Sequence, residues 1–149
     1  MRATRLTALA IVLLLAAWTS GGCSRTEMSF VSQGTEYSAG DVDGLHDSVE
    51  RPASVAGASV AQASALRRDA LIALRRSGEE ASALAEFVTG SLEDTGRAVP
   101  YYGEAAAFEG TDAWVLLELW GSPEGTLDNS RLWVFDRWTG DVLYSSASR

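Results

Sequence analysis

The sequence predicts an α+β domain in which two N-terminal helices pack on a four-stranded antiparallel meander, ααββββ in chain order. Three observations predict it. Apolar residues recur at helical spacing through residues 60–76 and again through 79–88. Four runs rich in β-branched and aromatic residues follow: AVPYYGEAAAF, DAWVLLELW, SRLWVFD and DVLYSS. Short turns and one moderate loop join those runs, which suits antiparallel neighbours.

The first helix is read from VAQASALRRDALIALRR, where Ala63, Leu66, Ala70 and Leu74 share one arc with Leu71 at its margin. Ser77-Gly78-Glu79-Glu80 matches a capping box, with Ser77 covering an amide and Glu80 reaching back. The second helix, about Glu79–Val88, places Ala81, Leu84, Ala85 and Val88 on one face, with Phe87 at its edge and Gly90 as a stop. Glu109-Gly110 is a tight turn between the first two strands, and RWTG is the turn before the last.

Pairing Asp136 with Asp141 around that last turn sets Phe135 opposite Val142 and Trp133 opposite Tyr144. Val134 and Leu132 then occupy the other face, so both sides of the hairpin are apolar. The second strand repeats this, with Trp114 and Leu116 on one face and Val115, Leu117 and Leu119 on the other. A sheet covered on one side normally alternates with polar residues. Something must therefore cover the second face. Trp114, Trp133, Phe135 and Tyr144 form a candidate aromatic binding face for a partner protein, a second copy in a homodimer or an apolar ligand. Packing by the helices, or by the preceding segment folding back, is the structural alternative.

The first 59 residues read differently. Arg2 and Arg5 precede the apolar run LTALAIVLLLAAW, and small residues follow, which is the layout of an export signal over residues 1–22. A run of thirteen residues is too short for a hydrocarbon core that needs roughly 20. Residues 23–59 are rich in Ser, Gly, Thr and acids, with Pro52 and four glycines breaking any periodicity. They read as a flexible acidic linker, roughly 30–35 Å in reach as a coil. Residues 60–149 are the globular domain.

Ser20-Gly21-Gly22-Cys23, which contains the only cysteine, resembles the lipobox of bacterial lipoproteins. That resemblance implies acylation of the Cys23 thiol, cleavage just before it, and attachment to the extracytoplasmic face of the cell membrane. Ser20 stands where the family favours a Leu-like residue, and Ser20 with Gly22 also suits ordinary signal cleavage, so plain secretion is the alternative. VFDRWTGDVLY is similar to the last hairpin of a PepSY-type domain. That likeness, from about Leu84 to Tyr144, implies a helix followed by a three-stranded antiparallel sheet and a role in restraining peptidases or sensing envelope state. No functional residue is carried over from it.

Charge and composition narrow the chemistry. The chain carries a net −8, and loss of Arg2 and Arg5 with the leader takes the remainder to about −10. Such acidity opposes nucleic-acid binding, which needs a basic footprint. Arg67-Arg68 and Arg75-Arg76 read as a solvated face paired with nearby acids. Asp41-Val42-Asp43-Gly44 opens like a calcium loop, but Leu45, His46 and Pro52 occupy positions where that loop needs an oxygen ligand, Gly and Glu. His46, the sole histidine, lies in the linker with nothing to orient it, so no nucleophile–histidine set and no zinc site is expected. Glu104, Glu118 and Asp136 leave a carboxylate-based hydrolase as a third option. The sequence therefore points to a non-enzymatic binding or regulatory module for a cell-envelope protein, without cofactor or metal. A carrier with an apolar pocket between helices and sheet is the runner-up.

Overall fold

The computed structural model describes residues 28–149. The expected leader, residues 1–22, and the expected acylation site, Cys23, lie outside the described residues. Five strands form one mixed sheet in the order β1-β2-β3-β4-β5: Ser29–Tyr37, Ala98–Phe108, Thr111–Trp120, Asn129–Asp136 and Val142–Ser148. Strands β2 to β5 are the expected antiparallel meander. Glu109 and Gly110, both at positive φ, close the β2–β3 turn.

The expected ααββββ arrangement is corrected at its N-terminal side. β1 pairs with β2 in parallel, Phe30 opposite Gly103 and Val31 opposite Glu104, which makes the sheet mixed. Two short helices follow it, α1 (Ala39–Asp43) and α2 (Leu45–Ser48). A 3₁₀ turn (Val60–Gln62) then leads into α3 (Ala63–Arg75) and α4 (Glu79–Ser91). The described part of the presumed linker, residues 28–59, is thus part of the fold. Its polar composition hid four residues that the core consumes: Met28, Val42, Leu45 and Val55 are all buried.

Alternation along the strands divides the sheet into two faces. One carries Gly103, Ala105, Trp114, Leu116, Glu118, Trp133 and Phe135, and α3 and α4 pack there. Gly103 is required, because a Cβ at that position would drive into the Leu84 side chain of α4. The opposite face carries Val115, Leu117, Leu132 and Val134, all fully buried. Residues 38–59 cover it. That segment is sewn to the β3–β4 loop by backbone hydrogen bonds from Leu127 N to Ala58 O (2.8 Å) and from Gly57 N to Leu127 O (3.3 Å). The doubly apolar sheet is therefore explained by the segment folding back, since an apolar face left in water forfeits about 25 cal/mol per Å².

The expected capping box at Ser77 does not form. The Ser77 hydroxyl donates back to Ala73 O (3.0 Å), and Gly78 at φ +127° is the residue that starts α4. A capping box does occur at Ser38 and Asp41, starting α1.

Candidate functional site

The four aromatic residues singled out by the sequence do not share a face. Trp114, Trp133 and Phe135 line up on the helix side, where Phe87 meets Phe135 edge-on at 5.0 Å and Trp133 stacks on Phe135 at 5.8 Å. The Arg137 guanidinium lies 4.1 Å above the Trp114 ring and that of Arg131 lies 4.8 Å above Trp133. Tyr144 is on the opposite face. There its hydroxyl donates to Asp43 Oδ2 (2.8 Å) and its ring lies 5.8 Å from Phe108. A bulge causes the split: Val134 pairs with Tyr144 but Phe135 pairs with Val142, which leaves Leu143 as the extra residue. One inserted residue reverses which side every later side chain takes. Trp114 and Phe135 are core residues, and Trp133 and Tyr144 are partly buried at its margin.

The open surface is instead the β4–β5 turn with the outer edge of β5. Asp136 Oδ1 accepts from the amides of Trp138 (2.7 Å) and Thr139 (2.9 Å), and Gly140 at φ +78° closes the turn. Those amides hold the Asp136 carboxyl below the usual carboxylate range. The turn projects Trp138 into solvent, 79% exposed, and β5 begins with exposed Val142 and Leu143. Strand β5, VLYSSAS, contains neither a charged residue nor a proline. Exposed edges commonly carry such residues as a guard against pairing with another chain. This edge carries none.

Two buried carboxylates anchor the opposite faces. On the helix side Glu118, 1% exposed, accepts from Arg67 Nη1 (3.3 Å), Arg131 Nη2 (2.9 Å) and Trp133 Nε1 (2.9 Å). Arg67, read as solvated, is 4% exposed and also donates to Leu92 O. Glu104, on the other face, accepts from the hydroxyls of Tyr37 (2.8 Å) and Tyr102 (2.7 Å). Burial, then the Glu104 carboxylate, push the Tyr37 phenol up to about 12. Glu104, Glu118 and Asp136 thus stand on opposite faces and at a turn, and they do not converge in one cleft.

His46 is the largest surprise. It is buried, with Nδ1 2.8 Å from Ser130 Oγ and Nε2 3.0 Å from Ser146 Oγ. Ser146 donates its own proton to Asp43 Oδ1 (2.6 Å), so the Ser146 oxygen can only accept from His46. Nε2 therefore carries the ring proton, Nδ1 accepts from Ser130, and the Tyr101 hydroxyl at 3.2 Å donates to Ser130. Ser130 is fully buried, so this chain of donors fastens α1 and α2 to β4 and β5. Burial lowers the His46 pKa, Arg51 adds to this, and Asp43 and Asp47 act against it.

That shift fixes a sign. The unfolded chain binds the His46 proton near pH 6.5 while the folded chain resists it, so stability falls as pH drops below about 6.5. Asp43, held low by Ser146 and Tyr144, adds a second loss at more acid pH as its carboxylate is protonated. Denaturant midpoints measured from pH 8 to 3 should show both steps, and His46→Gln should remove the upper one only. A wild-type midpoint flat between pH 7 and 5 would refute the assignment.

His46 and Arg67 were missed for different reasons. The Ser38–Asp41 spacing could have announced a helix just before His46, but its polar neighbours make the whole segment read as linker. Arg67 lies on the arc of Ala63, Ala70 and Leu74, and Glu118 interrupts the apolar run WVLLELW, so each could have been read as needing the other. The Asp41-Val42-Asp43-Gly44 stretch belongs to this latch: Asp41 caps α1 and Asp43 holds Tyr144 and Ser146. Among the described residues no group of three His, Cys, Asp or Glu side chains could hold a metal ion, and no helix is long and apolar enough to cross a membrane. A cavity of about 300 Å³ opens at the end of the sheet, between Arg97, Trp120, Ser122 and Arg131. No family model, curated protein or solved structure matches the chain.

Proposed function

We propose that this chain is a non-enzymatic binding module of the bacterial cell envelope, held at the extracytoplasmic face by lipid on Cys23. It binds an extended segment of another envelope protein along β5. The unguarded β5 edge carries this reading: a row of unpaired backbone groups, no charge, no proline, and Trp138, Val142 and Leu143 exposed at its start. A segment added as a sixth strand would gain main-chain hydrogen bonds from the edge and apolar contacts from those three side chains. The helix–sheet layer is filled by Leu84, Phe87 and the strand side chains, which favours the edge over an apolar pocket there. The arginine-led apolar leader and the lipobox-like Ser20–Cys23 support the location.

In-cell photocrosslinking tests this reading, with the probe at position 143 and, as a control, at exposed Ile72 on α3. A discrete membrane-fraction adduct is expected from position 143 and not from 72. Ser145→Lys should cut it severalfold by putting a charge on the edge. Cys23→Ser should move the chain out of the membrane fraction and lose the adduct. Equal labelling from both positions, or an adduct indifferent to Ser145→Lys, would sink the edge. A membrane fraction unchanged in Cys23→Ser would sink the anchor.

A further inference from the structure

The sheet-end cavity brings basic, aromatic and apolar side chains together. Its walls include Thr95, Arg97, Trp120, Ser122, Pro123 and Arg131, so two guanidiniums line it and no carboxylate does. In a chain of net charge −8, that local balance is unusual. Arg97 is exposed and makes no ion pair or side-chain hydrogen bond among the described residues. Trp120 and Arg131 come from adjacent strands on the same side of the sheet, since Trp120 pairs with Asn129 and Glu118 with Arg131. Each brings a buried N–H, Trp120 Nε1 and Arg131 Nε, that has no acceptor among the described residues.

Both N–H groups are occluded within the cavity wall, so the donor that an entering acceptor can reach is the exposed Arg97 guanidinium. A guanidinium favours a planar two-oxygen anion, which it can hold through parallel hydrogen bonds. The indole of Trp120, with Ala98 and Pro123, offers an apolar wall to the body of the same molecule.

We propose that this cavity binds a small organic carboxylate, with Arg97 holding the anion, Arg131 adding charge behind it and Trp120 packing on the apolar part. Glu118 occupies Arg131 Nη2 and keeps that side chain pointed along the sheet, so Arg97 is the contact whose loss should matter most. This site is separate from the β5 edge and stands or falls independently of it.

The full chain, ¹⁵N-labelled and kept in uncharged detergent, can be titrated with benzoate, with benzyl alcohol as its neutral analogue and with inorganic phosphate. The readout is the indole resonance of Trp120, assigned through Trp120→Phe. Benzoate should shift it saturably and benzyl alcohol should not, and Arg97→Gln, at an exposed position, should weaken benzoate about tenfold (about 1.4 kcal/mol). A shift that never saturates, an equal response to benzyl alcohol, or benzoate binding unchanged in Arg97→Gln would each overturn the proposal. A response to phosphate as strong as that to benzoate would overturn it too, as the mark of an unspecific anion site.

Discussion

A chain trimmed to residues 60–149 is expected not to fold, whereas one beginning at Met28 should melt cooperatively. The trimmed chain lacks β1, so β2 becomes a bare edge, and it uncovers Val115, Leu117, Leu132 and Val134. It also loses the buried side chains of Met28, Val42, Leu45 and Val55. Each such side chain is worth about 1.5–3 kcal/mol when taken from water, so the four together contribute about 6–12 kcal/mol. That matches the whole stability of an ordinary domain, about 5–15 kcal/mol. Circular dichroism melting and limited proteolysis of the two chains decide the matter. A protease-resistant, cooperatively melting 60–149 fragment would show that residues 28–59 are dispensable.

Glu118→Ala should be the most damaging single substitution on the helix side, at about 3–5 kcal/mol. The loss comes less from the missing attraction than from what stays behind. Arg67, 4% exposed and 3.3 Å from the carboxylate, would keep its charge in the core with only the half-exposed Asp94, 3.9 Å away, as a counter-ion, and Trp133 Nε1 would lose its acceptor. At about 2–4 °C per kcal/mol for a chain of this size, the melting point should fall by about 6–20 °C. The double variant Arg67→Met/Glu118→Leu should recover a large part of that loss, because an apolar pair replaces the buried ion pair at little cost. A Glu118→Ala loss under about 1 kcal/mol, or a double variant as weak as the single one, would contradict this account.

Both expectations concern how the β5 edge is presented. Glu118 ties α3 to β3 and β4, and the His46 latch ties the N-terminal segment to β4 and β5. Together they clamp β4 from both faces while the outer side of β5 stays uncovered. A rigid sheet ending in an open strand can accept an added strand at low ordering cost, because its own backbone is already fixed.

Local pattern and tertiary packing divided the information unevenly. Strands β2 to β5, both turns at Glu109-Gly110 and Asp136–Asp141, and the apolar stripes of α3 and α4 were legible, because period-2 and period-3.6 spacing and turn chemistry act over a few neighbours. The apolar second face of the sheet was legible too, as a demand for cover. The sequence left open whether the helices or the preceding segment supplied that cover. Met28, Val42, Leu45 and Val55 are too widely spaced to leave a periodic trace, and β1 earns its place only through a parallel pairing with residues some seventy positions later. The division of the aromatic residues was likewise hidden, since a single bulge at Leu143 decides the side that Tyr144 takes.

The sequence by itself thus determined the meander, its two helices and the doubly apolar character of the sheet, all consequences of near-neighbour spacing. Only the tertiary structure decided that residues 28–59 complete the core, that His46 and Arg67 are buried partners rather than solvated side chains, and that the open surface is the β5 edge. Those outcomes depend on long-range contacts, in which a buried polar group finds its partner from a distant strand because leaving it unpaired in the interior would cost more than ordering the chain to reach it.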